Sequence, residues 1–221
     1  MRVLLLGATG NVGSRLLPAL KAHGHEAVLF VRSPEKLSRE AKAHTTTIVQ
    51  GSATDRDAIK TAILSNDCDA VVNAAGLAPM LGQSGDLPTI FAAVMQATIE
   101  AGDQRGRPLR CWFMSGFASK LAWSLFCANR MDPRSEVIDY SARAGTGAEN
   151  LVAGTDFPPA WSKTLQWVPL VGTYLNILAQ MQNYFTSLED VADFIAKDLH
   201  GGMESVLVGK RVAVKMKARS A

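Results

Sequence analysis

Val3-Leu4-Leu5-Leu6-Gly7-Ala8-Thr9-Gly10-Asn11-Val12-Gly13 is the stretch on which the fold turns. Four apolar residues read as a buried strand. Val12, Leu16, Leu17 and Leu20 then fall at helical spacing. A glycine pattern between a strand and a helix is a dinucleotide fingerprint only in that context, and here the context is present. Gly7 permits a tight turn, Gly10 lets the backbone approach a pyrophosphate, and Gly13 lets the helix pack against the strand. The unpaired N–H groups and positive dipole end of the helix would face the phosphates.

Moving outward, Gly24 reads as a helix stop and His25-Glu26-Ala27-Val28-Leu29-Phe30-Val31 as a second buried strand. An acidic residue about 20 residues beyond the glycines would hold a ribose 2′-hydroxyl. Arg32-Ser33 stands there instead. A guanidinium beside a hydroxyl suits a 2′-phosphate, and no carboxylate repels it, so the expected cofactor is NADP(H) rather than NAD(H).

Strands and helices continue to alternate. Thr45 to Gln50 reads as a third strand, Asp57 to Leu64 as a short helix and Ala70 to Gly76 as a fourth strand. Thr89 to Ala101 reads as a helix, and Leu109 to Met114 as a fifth strand that ends at Ser115-Gly116. This order predicts an α/β fold, a Rossmann-type doubly wound parallel sheet covered on both faces. The small residues Ala74, Ala75 and Gly76 leave room for a cofactor at the carboxyl edge. One domain is expected over 1–221, with 1–116 as cofactor-binding core and about 117–185 supplying a small substrate-capping region.

Composition narrows the function classes. The 221 residues are 48% hydrophobic and 19% charged, as in an ordinary globular domain. A net charge of +3 does not argue for nucleic acid, and the basic residues from Lys210 to Arg219 read as a solvated last strand and fray. Cys68, Cys111 and Cys127 lack metal-ligand spacing, so no metal site is expected and Cys111 reads as a buried reduced thiol. The apolar stretch from Leu165 to Met181 is interrupted by Gln166, Pro169, Gly172, Asn176 and Gln180, which argues against a membrane span. The first apolar run leads straight into the phosphate turn rather than a cleavage site, so the expectation is a soluble cytoplasmic protein. Its expected partner is a small-molecule substrate, not nucleic acid or membrane, with a homodimer left open. His23 and His25 flank the helix-end glycine and are expected to meet solvent or the helix terminus, while His200 before Gly201-Gly202 reads as another helix stop.

With these residues in view, the chain resembles the atypical short-chain dehydrogenases/reductases of the NmrA-like, NAD(P)H-binding type, which include biliverdin-IX-β-reductase-like enzymes. The matching parts are Gly7–Gly13, Phe30-Val31-Arg32-Ser33-Pro34, Gly51–Asp55, Asn73–Gly76 and Ser187-Leu188-Glu189-Asp190-Val191-Ala192 opening a helix. The resemblance implies that Gly7, Thr9, Gly10, Asn11, Val12 and Gly13 hold the pyrophosphate. It also implies that Arg32 and Ser33 hold the adenosine phosphate, and that Ala74, Ala75 and Gly76 line the ribose and nicotinamide path. Ser52 departs from the pattern, standing where relatives often carry an acid near the adenine.

The catalytic expectation is less determined. Tyrosine with lysine four residues later is the usual dyad of the wider superfamily, the lysine lowering the phenol's pKa. Tyr140, Tyr174 and Tyr184 are followed at that spacing by Ala144, Leu178 and Leu188, so the dyad is absent. Ser115 is read either as a substrate contact or as a strand-end turn residue. Tyr140 is either a proton donor or a packing residue, and Lys120 a donor or a solvated loop charge. Glu149 is taken as structural. Phe157-Pro158-Pro159-Ala160-Trp161 replaces the Arg-Pro that relatives carry, and Trp161, Trp167, Leu170, Tyr174, Met181 and Phe185 could close over an apolar ligand or pack a core. The first reading is an NADPH-dependent reductase of a small hydrophobic or aromatic carbonyl or enone. The alternatives are a redox-neutral isomerase, cyclase or dehydratase, and a non-catalytic NADP sensor.

Overall fold

In a computed structural model of the chain, the described residues are 1–45, 47–76, 86–114, 151–154, 187–208 and 213–216. Strand β1 (Arg2–Leu6) leads through the glycine turn to α1 (Gly13–Ala22) and β2 (Glu26–Val31). A 3-10 turn (Pro34–Lys36) and α2 (Arg39–Ala43) precede β3 (Thr47–Gln50), α3 (Arg56–Ser65) and β4 (Ala70–Asn73). Helix α4 (Leu87–Arg105) and β5 (Arg110–Phe113) complete a five-stranded sheet. Beyond these lie β6 (Leu151–Gly154), α5 (Leu188–Leu199), a 3-10 turn (Gly202–Glu204) and β7 (Ala213–Met216).

The sheet runs β3-β2-β1-β4-β5, every neighbour parallel. In register, Leu6 lies beside Phe30 on one side and Asn73 on the other. Parallel strands need coverage on both faces, which is why β1 reads as an unbroken apolar run instead of alternating. Leu4, Leu6, Val28, Phe30 and Val71 meet Ile59, Ile63, Val94 and Ala97 of α3 and α4. Val3, Leu5 and Leu29, equally buried, alternate to the opposite face. That face has α1, with Leu16, Leu17 and Leu20 buried, and Phe194 of α5, whose ring stands edge-on to Trp112 at 6.1 Å.

Two compact units divide the chain: Met1–Met131 with Ala192–Val208, and Asp132–Val191 with Gly209–Ala221. The second contains β6 and β7, an antiparallel pair with Leu151 opposite Met216.

Element boundaries differ modestly from the sequence reading. The third strand begins at Thr47, because the Thr45 hydroxyl turns back to the Ala27 and Thr47 carbonyls. The fourth stops at Asn73, whose side chain accepts the Ala75 N–H at 3.1 Å and bends the chain off the sheet. The fourth helix is longer at both ends, running from Leu87 until Gly106 adopts φ +64°. Helix α2 was not foreseen; Ser38 caps it by accepting the Ala41 N–H.

The expectation that the histidines meet solvent or the helix terminus is corrected for His25, while His23 caps α1 and keeps 22% of its side chain exposed. His25 is 5% exposed and bonds the Ala196 carbonyl of α5 at 2.9 Å, while His23 bonds Asp193 at 2.7 Å. Both side chains reach α5. His200 does follow a helix end as expected, with α5 closing at Leu199.

Candidate dinucleotide site

Strand order reverses between β1 and β4, and the crevice beyond their carboxyl ends is where such sheets bind ligands. The glycine turn leaves β1 at this point, Ala74–Gly76 leaves β4, and Arg32–Ser33 leaves β2 on the other side. Adjacent strands thus bring three separate segments to one edge.

The turn is tightly built. Gly7 has φ +82°, and a Cβ there would lie 2.5 Å from the Ala74–Ala75 peptide, so only glycine lets these segments touch. A Cβ at Gly13 would sit 2.1 Å from the Gly7 carbonyl oxygen. At Gly10 the nearest atom would be that same oxygen at 3.3 Å, leaving its outer side open. The Gly10 N–H donates to Gly7, and Ser14 N–H to Gly10, each at 2.9 Å. Val12 stands at the N-cap of α1 with no side-chain cap, and the first turn carries no acid. Thr9, Gly10 and Asn11 are exposed above it. A helix start with no side-chain acceptor and no negative charge fits an anion, so the residues present fit a pyrophosphate.

Arg32 is exposed and Ser33 half-buried immediately beyond β2. Two contributors here escaped sequence reading. Gln50, at the end of β3, donates to the Arg32 carbonyl at 3.4 Å, and the Arg15 guanidinium donates to the Asn11 carbonyl at 2.7 Å. The i+4 spacing of Asn11 and Arg15 was the available signal for the second. Ser52 forms a hydroxyl pair with Thr54 at 2.8 Å within the turn that leads into α3, which Asp55 caps by accepting the Ala58 N–H. Gly51 lies against the tip of the Phe30 ring, where a Cβ would be 2.3 Å from Cζ.

Ser115, Lys120, Tyr140, Glu149 and the aromatic set from Trp161 to Phe185 lie outside the described residues, as does Cys127. Burial pushes the thiols of Cys68 and Cys111 each up to about 12; Cys111 keeps some surface as a residue, but its sulfur lies against Thr98. Among the described residues no His, Cys, Asp and Glu cluster could hold a metal ion. A cavity of about 570 Å³ beside Met95, Thr98, Arg107 and Leu109 opens where α4 leads into β5. That is the amino end of the strands, opposite the glycine turn. No described helix is long and apolar enough to cross a membrane.

A parallel sheet with an uncapped glycine turn at its switch point defines a Rossmann-type dinucleotide-binding protein. The chain belongs to the NAD(P)H-binding family, whose model matches residues 7–123, more than half its length. No curated protein sequence matches it significantly. Among solved structures it resembles a Rossmann-fold NAD(P)-binding family protein from Shigella flexneri at 16% identity and TM-score 0.59, over 100% of this chain and 95% of that one. It also resembles a Bacillus halodurans protein described as a candidate NAD-dependent epimerase/dehydratase at 21% identity and TM-score 0.59, over 98% and 94% of the two chains. At these identities the likeness concerns the fold.

Proposed function

We propose that the protein is an NADPH-dependent reductase acting on a small hydrophobic or aromatic carbonyl or enone. This reading takes it to be of the NmrA-like, biliverdin-IX-β-reductase-like type, cytoplasmic, and with no nucleic-acid or membrane partner. The observation that carries it is Arg32, an exposed guanidinium one strand away from the glycine turn, with Ser33 beside it and no carboxylate at either position. Gly7, Thr9, Gly10, Asn11, Val12 and Gly13 would hold the pyrophosphate through backbone N–H groups. Arg32 and Ser33 would grip the 2′-phosphate, and Ala74, Ala75 and Gly76 would leave space for the ribose and nicotinamide. The chemistry such a cofactor supplies when bound is hydride transfer. Ser115 and Tyr140 would orient the substrate and deliver its proton.

A redox-neutral isomerase, cyclase or dehydratase is the second reading. The observation favouring it is that no tyrosine is followed by lysine four residues later. Spectrophotometric assay of NADPH oxidation with quinones, flavins and enones tests the proposal directly. Turnover supports the reductase; tight NADPH binding with substrate converted at constant absorbance supports the second reading and removes the first.

A further inference from the structure

Three of the chain's four histidines gather where α5 crosses the amino-terminal edge of the sheet. His25 and His200 have ring centroids 4.5 Å apart, and His23 and His200 5.7 Å. His25 is the buried member. Its Nε2 faces the Ala196 carbonyl at 2.9 Å, an acceptor only, so Nε2 carries the hydrogen. Its Nδ1 faces the Met1 nitrogen at 3.4 Å, a donor, so Nδ1 must offer a lone pair. The neutral ring satisfies both neighbours. A second proton on Nδ1 would point at another donor, on a ring that is itself only 5% exposed.

We infer that His25 is an acid-released latch, holding the helical segment from Ala192 to Leu199 against the sheet while neutral and letting it go when protonated. The surrounding charges support the direction. Met1 and Arg2 come from the β1 side, Lys21 and His23 from the end of α1, Glu26 from β2, and Asp193, Lys197, Asp198 and His200 from α5 and its end. Of the carboxylates, Glu26 pairs with Arg2, Asp193 with His23, and Asp198 with Arg110. None bonds to His25. Burial pushes its pKa down, outweighing the Ala196 carbonyl, and Met1, His200 and His23 push the same way.

Other contacts oppose release: Asp198 of the same segment pairs with buried Arg110 of β5 and accepts the Trp112 Nε1–H whatever the state of His25, and Asp193 pairs with His23. His23 donates Nε2–H to Asp193, and with side chains 22% and 39% exposed that attraction is screened by solvent. The Nδ1 proton would face a donor in the docked position, so binding it shifts the segment toward opening against these contacts. The sign follows from linkage. A histidine with a lowered folded pKa contributes stability at neutral pH, and that stability declines as pH falls below the unfolded value of about 6.5.

Hydrogen exchange followed by mass spectrometry between pH 7.5 and 5.0, corrected for intrinsic rates, tests this. The opening equilibrium of peptides from 192–199 should rise up to about tenfold per pH unit below pH ~6.5, as one proton requires, while β1 and β4 stay protected. His25→Gln keeps a donor for Ala196 and an acceptor for Met1 but cannot titrate, so its slope should vanish. An unchanged slope in that variant, no slope in the wild type, or simultaneous loss of helix and strands would overturn the inference. Should His25→Gln fail to fold, nitrogen NMR of the wild-type ring decides. Loss of the α5 amide signals as Nδ1 gains its proton supports the latch; protonation with those amides still protected refutes it.

Discussion

Arg110 on β5 and Asp198 on α5 form an ion pair in which both side chains are almost fully buried, at 5% and 7% exposure. Trp112 Nε1–H donates to the same carboxylate at 2.8 Å, and the Ser205 hydroxyl also donates to it. Asp198 thus gathers a strand, its own helix and the following turn. Removing one partner of such a pair leaves an uncompensated buried charge. Asp198→Ala should therefore destabilise the protein by about 3–5 kcal/mol in urea unfolding. A loss below about 1 kcal/mol would show that water reaches Arg110 readily.

Gly10 and Gly13 should respond differently to alanine. At Gly13 the added methyl meets a backbone oxygen that cannot swing aside, so Gly13→Ala should cost about 1–3 kcal/mol despite alanine's better helix propensity. At Gly10 the methyl has a single neighbour at 3.3 Å and faces the open side of the turn. Gly10→Ala should leave the melting temperature nearly unchanged yet weaken dinucleotide binding in calorimetric titration. Equal effects of the two on folding would contradict this division.

Arg32→Glu should shift preference from NADPH toward NADH. Hydrogen bonds involving a charged group are worth about 1.5–3 kcal/mol, which corresponds to roughly 10- to 150-fold in the ratio of the two affinities. Fluorescence titration with each cofactor gives that ratio, and constancy would remove the 2′-phosphate assignment.

Asp69 couples acid stability to the strand entrances. Its carboxylate accepts the Arg2 N–H and an Arg107 guanidinium N–H, each at 2.9 Å. Burial pushes its pKa up, but these two donors outweigh it and hold it below the usual carboxylate range. A lowered folded pKa means stability present above the unfolded value and lost as pH falls through the folded one. Asp69→Asn should accordingly flatten the stability profile below about pH 4, near the ordinary aspartate value. An unaltered acid limb would assign that loss to other groups.

The two described cysteines should be inert while the chain is folded. With both thiols raised to about 12, little thiolate exists at pH 8, and Cys68 is wholly buried. Ellman's reagent should label neither Cys68 nor Cys111 until denaturant is added, as peptide mapping would show. Prompt labelling would reveal local opening, of the α3–β4 connection for Cys68 or of β5 for Cys111.

The central strands and the glycine turn were legible in the sequence because their determinants are local: an apolar run, residues without Cβ, a helical period. Arg32 was legible for the same reason, since it simply ends a strand. His25 was not. Its burial depends on Ala196, 171 positions away, and nothing near Gly24 announces that partner. Gln50 reaches Arg32 only because β3 pairs with β2 in one particular register, which periodicity does not specify. Ala74–Gly76 likewise read as strand, although β4 ends at Asn73, whose amide oxygen accepts the Ala75 N–H. Local chemistry reveals elements; the cross-links between them come from topology.

The hydrogen-only seam between Gly7 and the Ala74–Ala75 peptide has a mechanical corollary. Two neighbouring strand mouths share one lip, with no side chain between them to act as a cushion. Any shift of β4 must therefore displace the glycine turn as well. Sequence drift can reshape distant loops freely, but at this joint a single methyl group would pry the lip apart.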